Sequence, residues 1–192
     1  MRSPRPVRFA SLALVLGLVA GVASAAEMNI SVELPKLEVA EYHRPYVAMW
    51  IEREDQSFVA NMNVWYQQKR GGAGPGGGSA PGGGEGGGEG GTKWLNELRT
   101  WWRKSGREQT FPIDGVTGPT KPVGIQQLKF AGDKAPLATL APGKYRLVVE
   151  AAREGAGREV VRVPFEWPAK SAQSLTGKGS SELGAIALNL TP

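Results

Sequence analysis

The 192-residue chain contains no cysteine. Disulfides, thiolate metal ligands and lipidated cysteines are excluded, so the fold must rest on its hydrophobic core. Histidine is almost as scarce, with His43 the only one. A zinc site needs three or four convergent ligands, and neither Cys nor a second His is there to supply them. A Ser-His-Asp arrangement would need His43 as its base. It sits in a polar connection beside Arg44 and Pro45, no nucleophile elbow accompanies it, and it reads as a lone surface histidine. Dense Lys/Arg runs are missing, which argues against a nucleic-acid partner. Beyond the first 25 residues no apolar run reaches membrane-spanning length, so the mature chain is expected to have no transmembrane segment.

The first 25 residues read as a cleaved secretory signal. Arg2, Arg5 and Arg8 form a positive start, Leu12 to Val22 is a short apolar stretch, and Ala23-Ser24-Ala25 fits a cleavage site, with cutting before Ala26. The leader carries three arginines and no acid, so its removal lowers the formal charge from +5 to +2. The remainder, 26–192, is expected to form one domain. It is interrupted by a low-complexity insertion over 70–91. Fourteen of the 21 residues from Gly71 to Gly91 are glycine. Such a stretch cannot repay its ordering entropy, and it is expected to be a disordered loop. With no following Lys-Ser/Thr, it does not read as a phosphate-binding loop.

The rest alternates with strand periodicity. Met28, Ile30, Val32 and Leu34 mark a half-buried strand. Tyr46 to Ile51 is apolar on both parities, as in a central strand covered on both faces. Phe58, Ala60, Met62, Val64 and Tyr66 alternate in a third strand, forming a hairpin with the second. Ile125, Leu128 and Phe130 follow. Tyr145 to Ala151 and Val161 to Trp167 form another hairpin around Gly155. Lys170 to Ser181 reads as a polar loop, and Ile186, Leu188 and Leu190 as the last strand. About seven short strands and one helix predict an all-β, immunoglobulin-like β-sandwich.

The helix is tryptophan-rich. Trp94, Leu95, Leu98, Trp101 and Trp102 share one helical face, with Thr92 as N-cap and Gly106 as a stop. The three tryptophans either lid an open end of the sheet core or offer a flat ligand a stacking surface. Carboxylate pairs, Glu52 with Glu54 or Asp55 and Glu150 with Glu154, fall in charged turns or at strand ends and read as solvated. The chemistry-bearing stretch is Asp114-Gly115-Val116-Thr117-Gly118-Pro119-Thr120. Gly115 and Gly118 allow backbone conformations closed to other residues. Asp114 can tie the loop as an Asx turn, and Thr120 can present its hydroxyl outward.

The Tyr46–Ile51 strand within PYVAMWIE, the Trp94–Trp102 helix, DGVTGPT and APGKYRLVVEAARE occur in that order behind a leader. Together they resemble a bacterial family of predicted periplasmic proteins, domain-of-unknown-function family twenty-two seventy-one. The resemblance implies a periplasmic protein without established activity, in the company of extracytoplasmic flavin-dependent electron transfer. The glycine-rich insertion departs from it. The stretch is also similar to the attachment signal of covalently flavinylated proteins, Asp-x-x-Ser/Thr-Gly-Ala-Thr, with Asp114, Thr117, Gly118 and Thr120 at matching positions and Pro119 in place of Ala. That similarity implies FMN joined through its phosphate to the Thr120 hydroxyl, with Trp94, Trp101 or Trp102 against the ring. Two readings stand side by side. One is a non-catalytic accessory module that needs no cofactor and binds an envelope redox or membrane-associated protein. The alternative is an electron carrier bearing FMN at Thr120. An enzyme with its own catalytic residues is not expected.

Overall fold

The computed structural model describes residues 26–68, 90–155 and 157–192. The expected leader and most of the glycine-rich insertion lie outside them. The described chain folds as an all-β sandwich of two sheets.

The first sheet is built on β1 (Glu27–Leu34), whose even-numbered residues are buried and whose odd-numbered ones face outward. β1 pairs antiparallel with β5 (Gly124–Ala131) on one side and β9 (Ala185–Thr191) on the other, and β8 (Gln173–Lys178) pairs with β9. The second sheet has the order β4 (Thr117–Pro119), β3 (Phe58–Tyr66), β2 (Tyr46–Arg53), β6 (Gly143–Ala152), β7 (Arg158–Trp167). The hairpins β2–β3 and β6–β7 form as the pattern predicts. Met28, Ile30, Val47, Met49, Ile51, Leu147, Val149, Val163, Phe165, Ile186 and Leu188 fill the space between the sheets. Burial of that apolar surface is the main stabilising term for a chain with no covalent cross-links.

Two strands appear where loops are expected. β8 occupies half of the Lys170–Ser181 stretch. It is a polar edge strand, with Leu175 alone packed on the core, and so carries little alternation. β4 falls inside the Asp114–Thr120 stretch and pairs parallel with β3. The third strand also breaks its own parity. Met49 faces Asn63 while Trp50 faces Asn61, and Ile51 faces Ala60 while Glu52 faces Phe58, which leaves Met62 and Val59 as bulges. Each extra residue shifts the side-chain phase. Met62 therefore enters the inter-sheet core, whereas Val64 and Tyr66, of the same parity, point out of the sandwich.

What they point into is a second core. The tryptophan-rich segment is a 3-10 helix, Gly90–Glu97, followed by a one-and-a-half-turn α-helix, α1 (Arg99–Lys104), and a further 3-10 turn, Gly106–Glu108. Gly90 and Gly91, expected at the end of the disordered insertion, belong to this ordered layer, and Thr92 lies inside the 3-10 helix rather than capping an α-helix. The layer lies across the outer face of the second sheet, not over an open end. Leu95, Leu98 and Trp101 pack on Ala48, Trp50, Val64, Tyr66 and Val148. This explains why β2 is apolar on both faces.

Candidate functional site

A cleft of about 480 Å³ opens where five segments meet. Tyr42, His43, Arg44 and Tyr46 come from the connection into β2, and Gln67 from the end of β3. Trp94 and Glu97 come from the 3-10 helix, and Thr120 from the residue after β4. Ala152 to Gly155 close it at the β6–β7 turn. The register brings two of these walls together, because Tyr46 and Ala152 are paired across β2 and β6.

The Asp114–Thr120 stretch is positioned by backbone pairing. The Ile113 carbonyl accepts bonds from Val116 N–H, Thr117 N–H and the Thr117 hydroxyl at 3.2, 3.0 and 2.9 Å. Gly115 sits in the left-handed region at φ 66°. Asp114 is exposed and takes no part in holding this turn, so the Asx role expected of it falls to Ile113. Gly118 needs no left-handed backbone; it lies in β4 opposite Trp65. Pro119 pairs with Tyr66 on the outermost strand, where a missing N–H leaves no ladder bond unmade. Of the two hydroxyls, Thr117 is engaged. Thr120 makes no side-chain hydrogen bond among the described residues and lines the cleft.

The three tryptophans separate. Trp101 is fully buried, and its Nε1 donates to Asn61 Oδ1 at 2.7 Å, so no face remains for a ligand. Trp102 is half-buried and stacks on Phe111 with an interplanar angle of 13°. Neither lines the cleft. Trp94 does; it is 44% exposed, with Lys93 Nζ 5.1 Å from its ring centroid. The reason is the change of helix type. A single α-helix would put Trp94 on the Leu98–Trp101 face, whereas the tighter 3-10 turn rotates it outward.

The cleft walls are tied down. Arg153 donates from Nε and Nη2 to Glu182 at 3.0 and 3.1 Å, and both side chains are almost wholly buried. This fork links the second sheet to the loop before β9, and the Glu182 carboxylate holds the guanidinium firmly in its charged form. Burial raises the Tyr46 hydroxyl above its usual range, against a hydrogen bond with the Gln67 backbone that lowers it. Burial likewise raises Tyr42, where Arg153 opposes the shift. Gly91 donates its N–H to Gln67 O at 2.7 Å, and a Cβ there would run into the Tyr46 hydroxyl. His43 is on the wall as well, 3.4 Å from Glu41. Among the described residues no group of three His, Asp or Glu side chains is placed to hold a metal.

Two carboxylates read as solvated are instead fully buried on the helix-covered face. Glu150 accepts the backbone N–H groups of Thr100 and Trp101 at 3.0 and 2.7 Å, and Arg158 Nη1 at 2.7 Å. It thereby caps α1 from a neighbouring strand, where the N-cap residue Leu98 offers no side-chain acceptor. Glu52 takes Arg162 Nε at 3.0 Å. The available signal was their place in apolar runs, Met49-Trp50-Ile51-Glu52 and Val148-Val149-Glu150-Ala151-Ala152.

The family model for a predicted periplasmic protein, DUF2271, matches residues 27–185. The chain belongs to this family. The match runs from the first residue of β1 to the first of β9, so this DUF2271 domain includes every segment of the cleft and the Asp114–Thr120 stretch. It also places the protein in the periplasm. No curated protein and no solved structure matches the chain. No helix among the described residues of the DUF2271 domain is long and apolar enough to cross a membrane.

Proposed function

We propose that this protein is a non-catalytic accessory module of an extracytoplasmic, flavin-dependent redox system, and that the cleft is its binding site. One observation carries the reading. Thr120, whose hydroxyl makes no side-chain hydrogen bond among the described residues, shares a cleft of about 480 Å³ with the exposed Trp94 ring, Tyr42, Tyr46 and the exposed Arg44. That volume lies within the range of about 300–1,000 Å³ typical of small-ligand sites. Indole and phenol rings suit a flat heteroaromatic group, and arginine suits a phosphate. FMN combines both chemistries, so the residues present fit it.

The position of Thr120 favours a second, covalent form of this reading. Thr120 Oγ1 would attack the flavin-side phosphorus of a flavin dinucleotide supplied by an FMN transferase. A phosphoester bond forms, the pyrophosphate P–O bond breaks, nucleoside monophosphate leaves and the hydroxyl proton passes to solvent. The flavin would supply the redox chemistry. The protein would position it, pack Trp94 against it and limit its contact with water.

Coexpression of the protein with an FMN transferase, followed by intact mass and visible spectroscopy, tests the covalent form. An FMN-sized increment that disappears in Thr120→Ala is expected; an adduct that survives the substitution refutes the assignment. Titration of the unmodified protein with FMN tests the cleft itself. Saturable fluorescence quenching, weakened at least several-fold in Trp94→Ala, is expected, and an absence of binding together with an absence of adduct would remove the flavin reading altogether.

A further inference from the structure

We infer that the part of the second sheet's outer face left bare by the helical layer is a phosphate-binding surface, separate from the cleft. The layer covers β3, β2 and the Val148–Ala152 part of β6. Beyond it, Arg146 on β6 and Arg162 on β7 stand on the same face. Arg146 is paired with Pro164, which makes Arg162 its diagonal neighbour. Both lean toward Glu52 on β2. Arg162 Nε lies 3.0 Å and Arg146 Nη1 3.9 Å from Oε1, while Lys104 Nζ, from α1, lies 3.4 Å from Oε2. Three cations therefore surround one buried carboxylate, a local surplus of two positive charges.

The surplus is matched by unused donors. The Arg146 side chain makes no hydrogen bond among the described residues, and that of Arg162 uses only Nε. Their side chains are 30% and 35% exposed, so the remaining N–H groups are within reach of a ligand. Two guanidinium forks on adjacent strands match the oxygens of a phosphate better than a point charge does. A phosphate monoester, at about −1.5 to −2, balances the surplus. The exposed carboxylate of this face, Glu166, stands opposite Lys144 and 3.6 Å from Lys170, so it adds no net negative charge. The ligand class is thus a phosphate group, carried either on a lipid headgroup at the membrane surface or on a small soluble molecule.

The test uses the whole protein. Inorganic phosphate, and vesicles of phosphatidic acid in phosphatidylcholine, are titrated against it at fixed ionic strength, with sodium chloride and pure phosphatidylcholine as controls. Saturable binding is expected, weakened about fivefold in Arg146→Gln, as for loss of one lipid-facing cation worth about 1 kcal/mol. Glu52→Gln removes the competing carboxylate and should tighten binding, an effect that a purely structural role for this cluster would not produce. Arg146→Gln leaves the Arg162–Glu52 bond in place and keeps the test valid should Glu52→Gln fold poorly. Binding to vesicles alone identifies a headgroup, and binding to both probes a phosphate in general. No saturable binding to either, equal affinity of the wild type and Arg146→Gln, or tighter binding of a polyglutamate peptide than of phosphate overturns the inference.

Discussion

The two outer faces of the sandwich are made by the same alternation and differ in what lies on them. On the first sheet the outward residues include Asn29 and Ser31 of β1, Gln127 and Lys129 of β5, and Asn189 of β9. They line an open, polar groove. On the second sheet the corresponding positions are Ala48, Trp50, Val64, Tyr66 and Val148, under a helical layer. The first face lies open. The second is unfinished without Leu95, Leu98 and Trp101, and those residues cannot hold their place without Asn61 and Glu150. A sheet face that takes a second layer therefore needs polar groups inside it, because a short helix brings unpaired N–H groups with it. Glu150 supplies what the local sequence at Leu98 does not.

The contrast can be broken most severely at Trp101. Trp101→Ala should lower stability by about 3–5 kcal/mol, as expected for a large buried aromatic, and denaturant unfolding would measure it. Glu150→Ala comes next. Trp101 N–H is cut off from water there while Thr100 N–H is only partly buried, so a loss of about 1–3 kcal/mol is expected for the stranded donor. Loss of helical signal and early exchange of the Trp101 amide would show that the cap, rather than the sheet, has failed.

Between these and the bare face stands Glu159, which bridges the sheets at one edge. Burial works against its ionisation. The backbone N–H groups of Ser180, Leu183 and Ser181 and the Ser180 hydroxyl outweigh that, and together they bring the carboxyl down from 4.5 to about 2. A depressed folded-state value means that its stabilising contribution is complete above about pH 4.5 and is lost as pH falls toward 2. Glu159→Gln should flatten the pH dependence of the unfolding midpoint within that window and leave its slope above pH 5 unaltered. At the far end of the scale, Asn29→Ala on the bare face should change stability by no more than about 0.5 kcal/mol. A loss comparable to that of Glu150→Ala would mean that this face is covered in solution.

Most strands are legible in the sequence because a half-buried strand writes its burial as alternation. Met28 to Leu34 and Tyr145 to Ala151 show it directly. β2 even shows that both its faces are covered, although not by what. β8 is illegible because an edge strand with one packed side chain has no alternation to display. The bulges at Val59 and Met62 are illegible because an extra residue alters phase without altering composition. In the candidate site, Thr120 and Trp94 are singled out by residue type, and the structure brings both to one cleft. Trp101 and Trp102 look equivalent to Trp94 on an α-helical wheel, and the 3-10 turn separates them. Tyr42, Arg44, Tyr46 and Arg153 are missed because the cleft is assembled from segments more than a hundred residues apart, and nothing local marks an arginine that is held by Glu182.

The bond from Gly91 N–H to Gln67 O closes a neck across the glycine-rich insertion, beside the cleft. Seen as tolerance to substitution, this neck has almost none: any side chain at position 91 would meet the Gln67 carbonyl as well as the Tyr46 hydroxyl, so it would push the 3-10 helix off the end of β3 and deform the cleft wall beside it.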